Sequence, residues 1–132
     1  MKIPILTLDK PTANNRIYPR AVMEAAFAKY KKEFIDERRA MVVKRQPEQA
    51  ITNLLDVVGI IKEVSFEGDT VMADIEFLPN VPDGLICESG VKCGKLSLRT
   101  GGLGSLKKNE QGQHVVQDDY ELTHCFLTDN PA

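Results

Sequence analysis

Val58-Gly59-Ile60-Ile61-Lys62-Glu63-Val64-Ser65-Phe66 and Val71-Met72-Ala73-Asp74-Ile75-Glu76-Phe77-Leu78 stand on either side of Glu67-Gly68-Asp69. Two runs rich in β-branched and aromatic residues around a short glycine-containing turn read as a β-hairpin. In the second run Val71, Ala73, Ile75 and Phe77 alternate with Met72, Asp74 and Glu76, so one face is buried and the other meets water. Pro79 and Pro82 end that strand, because proline cannot donate to a ladder.

Outward from the hairpin, Lys2 to Leu8 is apolar, is bounded by turn formers and reads as a first strand. Asp9 to Tyr18 is a loop, and Pro19 opens a helix where a missing N–H costs nothing. That helix is predicted to run to about Arg39, with Met23, Phe27, Tyr30 and Phe34 forming one apolar stripe that packs into the core. Ala40 to Lys44 is a short strand, and Arg45 to Asn53 is a polar connection with room for a helical turn. Asp83 to Glu88 is a helical turn, after which Ser89-Gly90 and Gly94 loosen the chain. Lys95 to Leu106 is a strand broken by glycines, Lys107 to Gln113 a polar hairpin loop, and His114 to Thr128 a final strand. The expected architecture is α+β: one domain over 1–132, a small, mostly antiparallel β-barrel with one long helix and one or two short helices packed on it.

The 132 residues are 42% hydrophobic and 27% charged, ordinary values for one globular core. A net charge of −2 lacks the positive excess that phosphate binding needs, and the basic clusters Lys29-Lys31-Lys32, Arg38-Arg39 and Lys107-Lys108 lie beside acids. No nucleic-acid partner is expected. No apolar run approaches the ~18 residues that span a bilayer. The opening Met1-Lys2-Ile3-Pro4-Ile5-Leu6 is too brief for a signal peptide, which predicts synthesis and use in a cytoplasm and no membrane association. The three cysteines, Cys87, Cys93 and Cys125, form no disulfide framework. The Cys87–Cys93 spacing is wider than a zinc knuckle, so buried thiols without metal or cofactor are expected.

Chemistry concentrates in Leu96-Ser97-Leu98-Arg99-Thr100-Gly101-Gly102-Leu103-Gly104-Ser105-Leu106. Alternation puts Ser97 and Arg99 on one face, opposite Leu98. A serine hydroxyl needs a base to become a nucleophile, and an arginine nearby can support an oxyanion. The residues equally suit a solvated strand face followed by a glycine bend. The glycine run is no phosphate loop, since it lacks the lysine at the required spacing and a following helix. Of the two histidines, His114 follows the polar loop; His124 and Cys125, adjacent on a strand, point to opposite faces, and His124 can meet Ser97 from a neighbouring strand.

Together these segments resemble the tailed-phage prohead proteases, capsid maturation serine proteases of the herpesvirus-assemblin type. Asn14-Asn15-Arg16-Ile17-Tyr18-Pro19-Arg20 resembles their motif after the first strand. Ser97 and Arg99 match the nucleophile and its arginine in a Val-Ser-Ser-Arg-Gly-Leu-Gly-Ser-like run. Gly102-Leu103-Gly104-Ser105-Leu106 matches the glycine tail, Thr100-Gly101 is an insertion, and Leu98 replaces the second serine. Glu121-Leu122-Thr123 and Thr128-Asp129-Asn130-Pro131-Ala132 resemble the last strand and closing motif, where the chain stops without the C-terminal region of longer members. The fold this resemblance implies, a small β-barrel with surrounding helices, agrees with the reading of the residues.

The departures carry the functional expectation. The family's catalytic histidine lies in a Glu-Leu-Asn-His-Pro-like segment after the long helix; the matching run here is Val43-Lys44-Arg45-Gln46-Pro47, with Gln46 in place of the histidine. An amide cannot take the serine proton. The acidic partner expected in the last strand falls near Cys125. The resemblance therefore implies a pseudoprotease: a virion structural protein, a capsid decoration, cement or minor head protein, binding the major capsid protein or other head proteins in several symmetric copies. The alternative is an active maturation protease that cleaves scaffold and capsid precursors, with Ser97 as nucleophile and His124 or His114 as base. An unrelated small β-barrel binding module is the third reading that the residues allow.

Overall fold

The hairpin forms where its pattern predicts, as β4 (Val57–Glu67) and β5 (Thr70–Phe77), with Gly68 at φ +64° in the turn. The computed structural model describes residues 1–46 and 54–129, so most of the Arg45–Asn53 connection and the closing Asn130-Pro131-Ala132 lie outside the described residues. The other elements are β1 (Lys2–Thr7), β2 (Arg16–Ile17), α1 (Arg20–Tyr30), β3 (Met41–Val43), α2 (Pro82–Lys92), β6 (Ser97–Leu103), β7 (Leu106–Lys108), β8 (His114–Val116) and β9 (Glu121–Thr128). A six-stranded sheet has the order β1-β5-β4-β3-β9-β6, and a small sheet the order β2-β8-β7. All pairings are antiparallel except β3–β9 and β2–β8. The large sheet curls until residues of β1 and β6, its two edges, come within 8 Å Cα to Cα. The α+β architecture expected from the sequence is the one observed.

Inside the curl lies the main core. Ile3, Leu8, Val42, Val58, Ile61, Val71, Ile75, Leu98, Cys125 and Leu127 pack there with Met23, Phe27 and Tyr30 of α1. The predicted stripe is thus the buried face of the helix, but the regular helix stops at Tyr30. Lys31–Ile35 continue as a π-helical turn, in which the Asp36 N–H bonds the Lys31 carbonyl at 2.8 Å. The wider turn keeps Phe34 stacked on Tyr30 at 5.0 Å between centroids. Arg38, at φ +58°, then turns the chain into β3.

The segment with family resemblance around Asn15 to Arg20 braces the fold. Tyr18 is buried, and its carbonyl accepts from the Asp9 N–H at 2.9 Å. The Asp9 carboxylate in turn accepts from the Arg20 N–H at 2.9 Å, capping α1 from outside the helix. The Arg20 guanidinium reaches the hairpin tip, bonding the Gly68 carbonyl and pairing with Asp69 at 3.4 Å.

Several expectations are corrected. Cys93 is exposed rather than buried. The strand expected from Lys95 to Leu106 is split at Gly104-Ser105 between β6 and β7 in different sheets, and β7 takes Lys107 and Lys108 from the expected loop. The turn at Asp83–Glu88 is a full helix, α2, because its glycines serve packing: Gly84 presses against the Leu78 carbonyl and Gly90 makes room for Leu96. The final strand from His114 to Thr128 is two strands in different sheets, divided at Gln117–Tyr120 by a turn in which the Tyr120 N–H bonds the Gln117 carbonyl at 3.1 Å. A methyl at Gly84 would collide with backbone that cannot yield. Gly84→Ala is therefore expected to cost about 1–3 kcal/mol, read as a lower urea midpoint. Gly68→Asn, in open space and in a conformation asparagine tolerates, should cost less than about 1 kcal/mol.

Candidate active-site region

Ser97 opens β6, whose antiparallel register with β9 pairs Ser97 with Thr128, Leu98 with Leu127, Arg99 with Phe126, Thr100 with Cys125 and Gly101 with His124. Directly paired residues share a face. Leu98, Leu127 and Cys125 are buried in the main core, so Ser97, Arg99 and Gly101 lie with Thr128, Phe126 and His124 on the outer face. The sequence-based pairing of Ser97 with Arg99 on one face therefore holds. Both side chains are half-buried, and the Arg99 guanidinium sits over the Phe126 ring at 5.8 Å. Phe126 is itself buried on this outer side in a small cluster with Val43 and Val57.

Cys125 faces the other way. It is fully buried, the Tyr30 hydroxyl bonds its sulfur, and burial pushes its thiol up to about 12. Strand alternation puts Phe126, and not Cys125, beside Arg99 on the serine's face. The cysteine at the position where the resemblance expects an acid is a core side chain.

Gln46 is exposed, just past the end of β3. Because β3 runs parallel to β9, with Val43 beside Phe126, the chain leaves β3 at the end of the sheet where Ser97 and Thr128 pair. Gln46 and Ser97 thus belong to the same end of the barrel. The residues just before Gln46 are anchored: Lys44 binds Asp83 of α2 at 2.6 Å, and Arg45 reaches Asp56 at 3.5 Å.

The histidines are elsewhere. His114 is on β8 in the small sheet, outside the sheet that carries Ser97. His124 is on the correct face, but Ser97 lies four residues further along β6, about 13 Å at the rise of an extended strand. Its ring instead lies over Gly101, where any Cβ would collide with Nε2. The Thr123 hydroxyl donates to the Gly101 carbonyl at 3.1 Å and stands 2.8 Å from His124 Nδ1. Burial holds the His124 pKa below its ordinary value.

The glycine run has the same explanation further along. A Cβ at Gly102 would meet the Glu121 carbonyl and, at 2.7 Å, the Tyr120 ring, and one at Gly104 would lie 2.8 Å from Tyr120 Cα. Tyr120 bonds Thr100, and burial pushes its hydroxyl up to about 12. The tail is pinned by Asp119, which accepts from the Ser105 N–H at 2.9 Å and hydroxyl at 2.6 Å and is held below the usual carboxylate range by those bonds. Sequence reading found the bend; the side chains that need it, His124 and Tyr120, were not legible from the glycines alone.

A family model described as prohead core protein serine protease matches residues 7–127. The chain belongs to this family. The bacteriophage T4 capsid assembly protease, gp21, is similar in structure, with a TM-score of 0.84 and 21% sequence identity over 96% of this chain and 79% of that one. No curated protein matches the chain by sequence. The resemblance seen in the motifs is thus a family relationship, and the reading as an unrelated barrel is set aside. Within the prohead protease fold, Ser97 and Gln46 stand at one end of the barrel, with Arg99 and Phe126 beside the serine.

His124 titrates with a depressed folded pKa, so its contribution to stability is complete above its ordinary value of 6.5 and is lost as the pH falls through the folded value. Thermal melts from pH 8 to 5 should show this loss, and His124→Phe should flatten that part of the profile. Gly101→Ala, which expels the ring, should flatten it as well and lower the melting temperature at pH 8.

Proposed function

We propose that this protein is a pseudoprotease of phage head assembly: a structural protein of the capsid, as decoration, cement or minor head protein, that keeps the prohead protease fold without its proteolytic chemistry. The observation that carries the reading is the setting of Ser97. Among the described residues, those next to Ser97 on its face of β6 and β9 are Arg99, Phe126 and Thr128, none of which is a base, and His124 on the same face lies about 13 Å away. Gln46, which the resemblance matches to the histidine, is exposed at the same end and has no useful basicity. Without a base and its orienting partner, an oxyanion donor such as Arg99 leaves a rate orders of magnitude below that of an intact triad.

A fold retained without catalysis has use as a binding scaffold. The relative named as a capsid assembly protease and the family's prohead core assignment support a place in head assembly in the host cytoplasm, with the major capsid protein or another head protein as partner. Several symmetric copies on a symmetric shell fit that place. The active-protease reading needs His124 to reach Ser97 along about 13 Å of strand, or His114 to come from the other sheet.

The test is cleavage. Incubated with scaffold and capsid precursors, the wild-type chain and Ser97→Ala should give the same intact bands on a gel. The chain should also be found whole in purified mature particles. Cleavage that depends on Ser97 would return the protein to the proteases.

A further inference from the structure

Between the π-helical turn Lys31–Ile35 and the middle of β4 lies a groove of about 360 Å³. Phe27, Val64 and Phe66 supply its apolar surface, with Ala28 and Ile35 along the helical side. Both walls are irregular at this place. On one, the helix widens to a π-turn. On the other, Lys62 is an extra residue in β4, since Ile61 pairs with Ile75 and Glu63 already with Asp74. Irregularities of this kind re-aim side chains and recur at functional sites. Beside them Val64, Phe66 and Ile35 remain partly exposed.

The charges around the groove are unequal. Its lining holds three carboxylates, Glu24, Asp36 and Glu63, against two ammonium groups, Lys31 and Lys62. Glu24 pairs with Arg20 at 3.3 Å, Asp36 with Lys31 at 2.9 Å, and Lys62 with Glu76 at 2.9 Å. Among the described residues Glu63 has no ion-pair partner. An apolar hollow with one uncompensated carboxylate at its rim is complementary to an apolar side chain that carries a cation next to it.

We propose that this groove docks a partner protein through one large apolar side chain followed by a lysine or arginine, the apolar group packing onto Phe66, Val64 and Ile35 and the cation meeting Glu63. The groove shares no residue with the Ser97 face, so the inference stands whether or not that serine cleaves anything. The size admits one such anchor rather than a whole helix face.

The probe is a capped tetrapeptide, acetyl-Gly-Phe-Lys-Gly-amide, titrated into the intact chain at low salt while its methyl NMR signals are followed. Signals of Ala28, Ile35 and Val64 should move. The counterpart acetyl-Gly-Phe-Glu-Gly-amide should bind about fivefold more weakly. Glu63→Gln should bring the two peptides within about twofold of each other. Ala28→Leu, at an exposed helical position that a larger side chain can occupy, should weaken both about tenfold. Unmoved spectra outside the groove verify that the variants are folded. Shifts elsewhere, no shifts, equal binding of both peptides to the wild-type chain, or a preference that survives Glu63→Gln would overturn the proposal. So would sedimentation showing that a second copy of the chain already fills the groove.

Discussion

The antiparallel pairing of β6 with β9 is the constraint on which the rest of the molecule depends. It decides which side chains enter the core and which share a face with Ser97. Leu98, Leu127 and Cys125 go inward, and Arg99, Phe126 and His124 stay outside. A slip of one residue would exchange the two sets and place a serine and an arginine in the core. The register is held by close approach. Gly101 fits only under the His124 ring, and Gly102 and Gly104 fit only against Tyr120. Thr123, the extra residue where the register shifts after Gly101, spends its hydroxyl on the Gly101 carbonyl. The glycine tail that marks the family in sequence is thus a set of contact points that lock two strands in step.

A second set of contacts ties the hairpin at its tip to α1 and to the β1 end of the chain. Arg20 grips its tip at Gly68 and Asp69, Lys2 reaches Glu67 at 3.3 Å, and the Leu8 N–H bonds the Asp69 carbonyl at 2.7 Å. Phe66 then meets Phe27 edge to face at 5.9 Å. The ion pairs are exposed and individually weak. They join the hairpin tip to the N-terminal end of α1 and to β1.

Much of this was legible in the sequence, for physical reasons. The hairpin announced itself because a half-buried strand alternates strictly and its turn needs a residue with positive φ. The helical stripe from Met23 to Phe34 was legible because one face meets the core. Ser97 and Arg99 could be put on one face by counting. What escaped depended on partners distant in sequence. Gly84 and Gly90 look like helix breakers until Leu78 and Leu96 are seen against them. The split between β8 and β9 follows from a turn at Gln117–Tyr120 inside a run that reads as continuous. The position expected to carry an acid fell on Cys125, one residue from the face that faces solvent, and only the register with β6 distinguishes Cys125 from Phe126. The widened turn at Lys31 has no local signal, since its residues are ordinary helix formers.

The parallel contact between β3 and β9 has a consequence for how the chain reaches this state. Val42 lies beside Cys125 and Val43 beside Phe126, far apart in the sequence, whereas β4 and β5 meet through a short turn. Local pairs form early and cheaply, while distant ones wait for a large loop to close. The β4–β5 hairpin is therefore the cheapest pair of the sheet to close, and the β3–β9 pair among the costliest. Without β9 beside it, β3 would present an apolar edge in Val42 and Val43, the kind of edge that pairs with other chains.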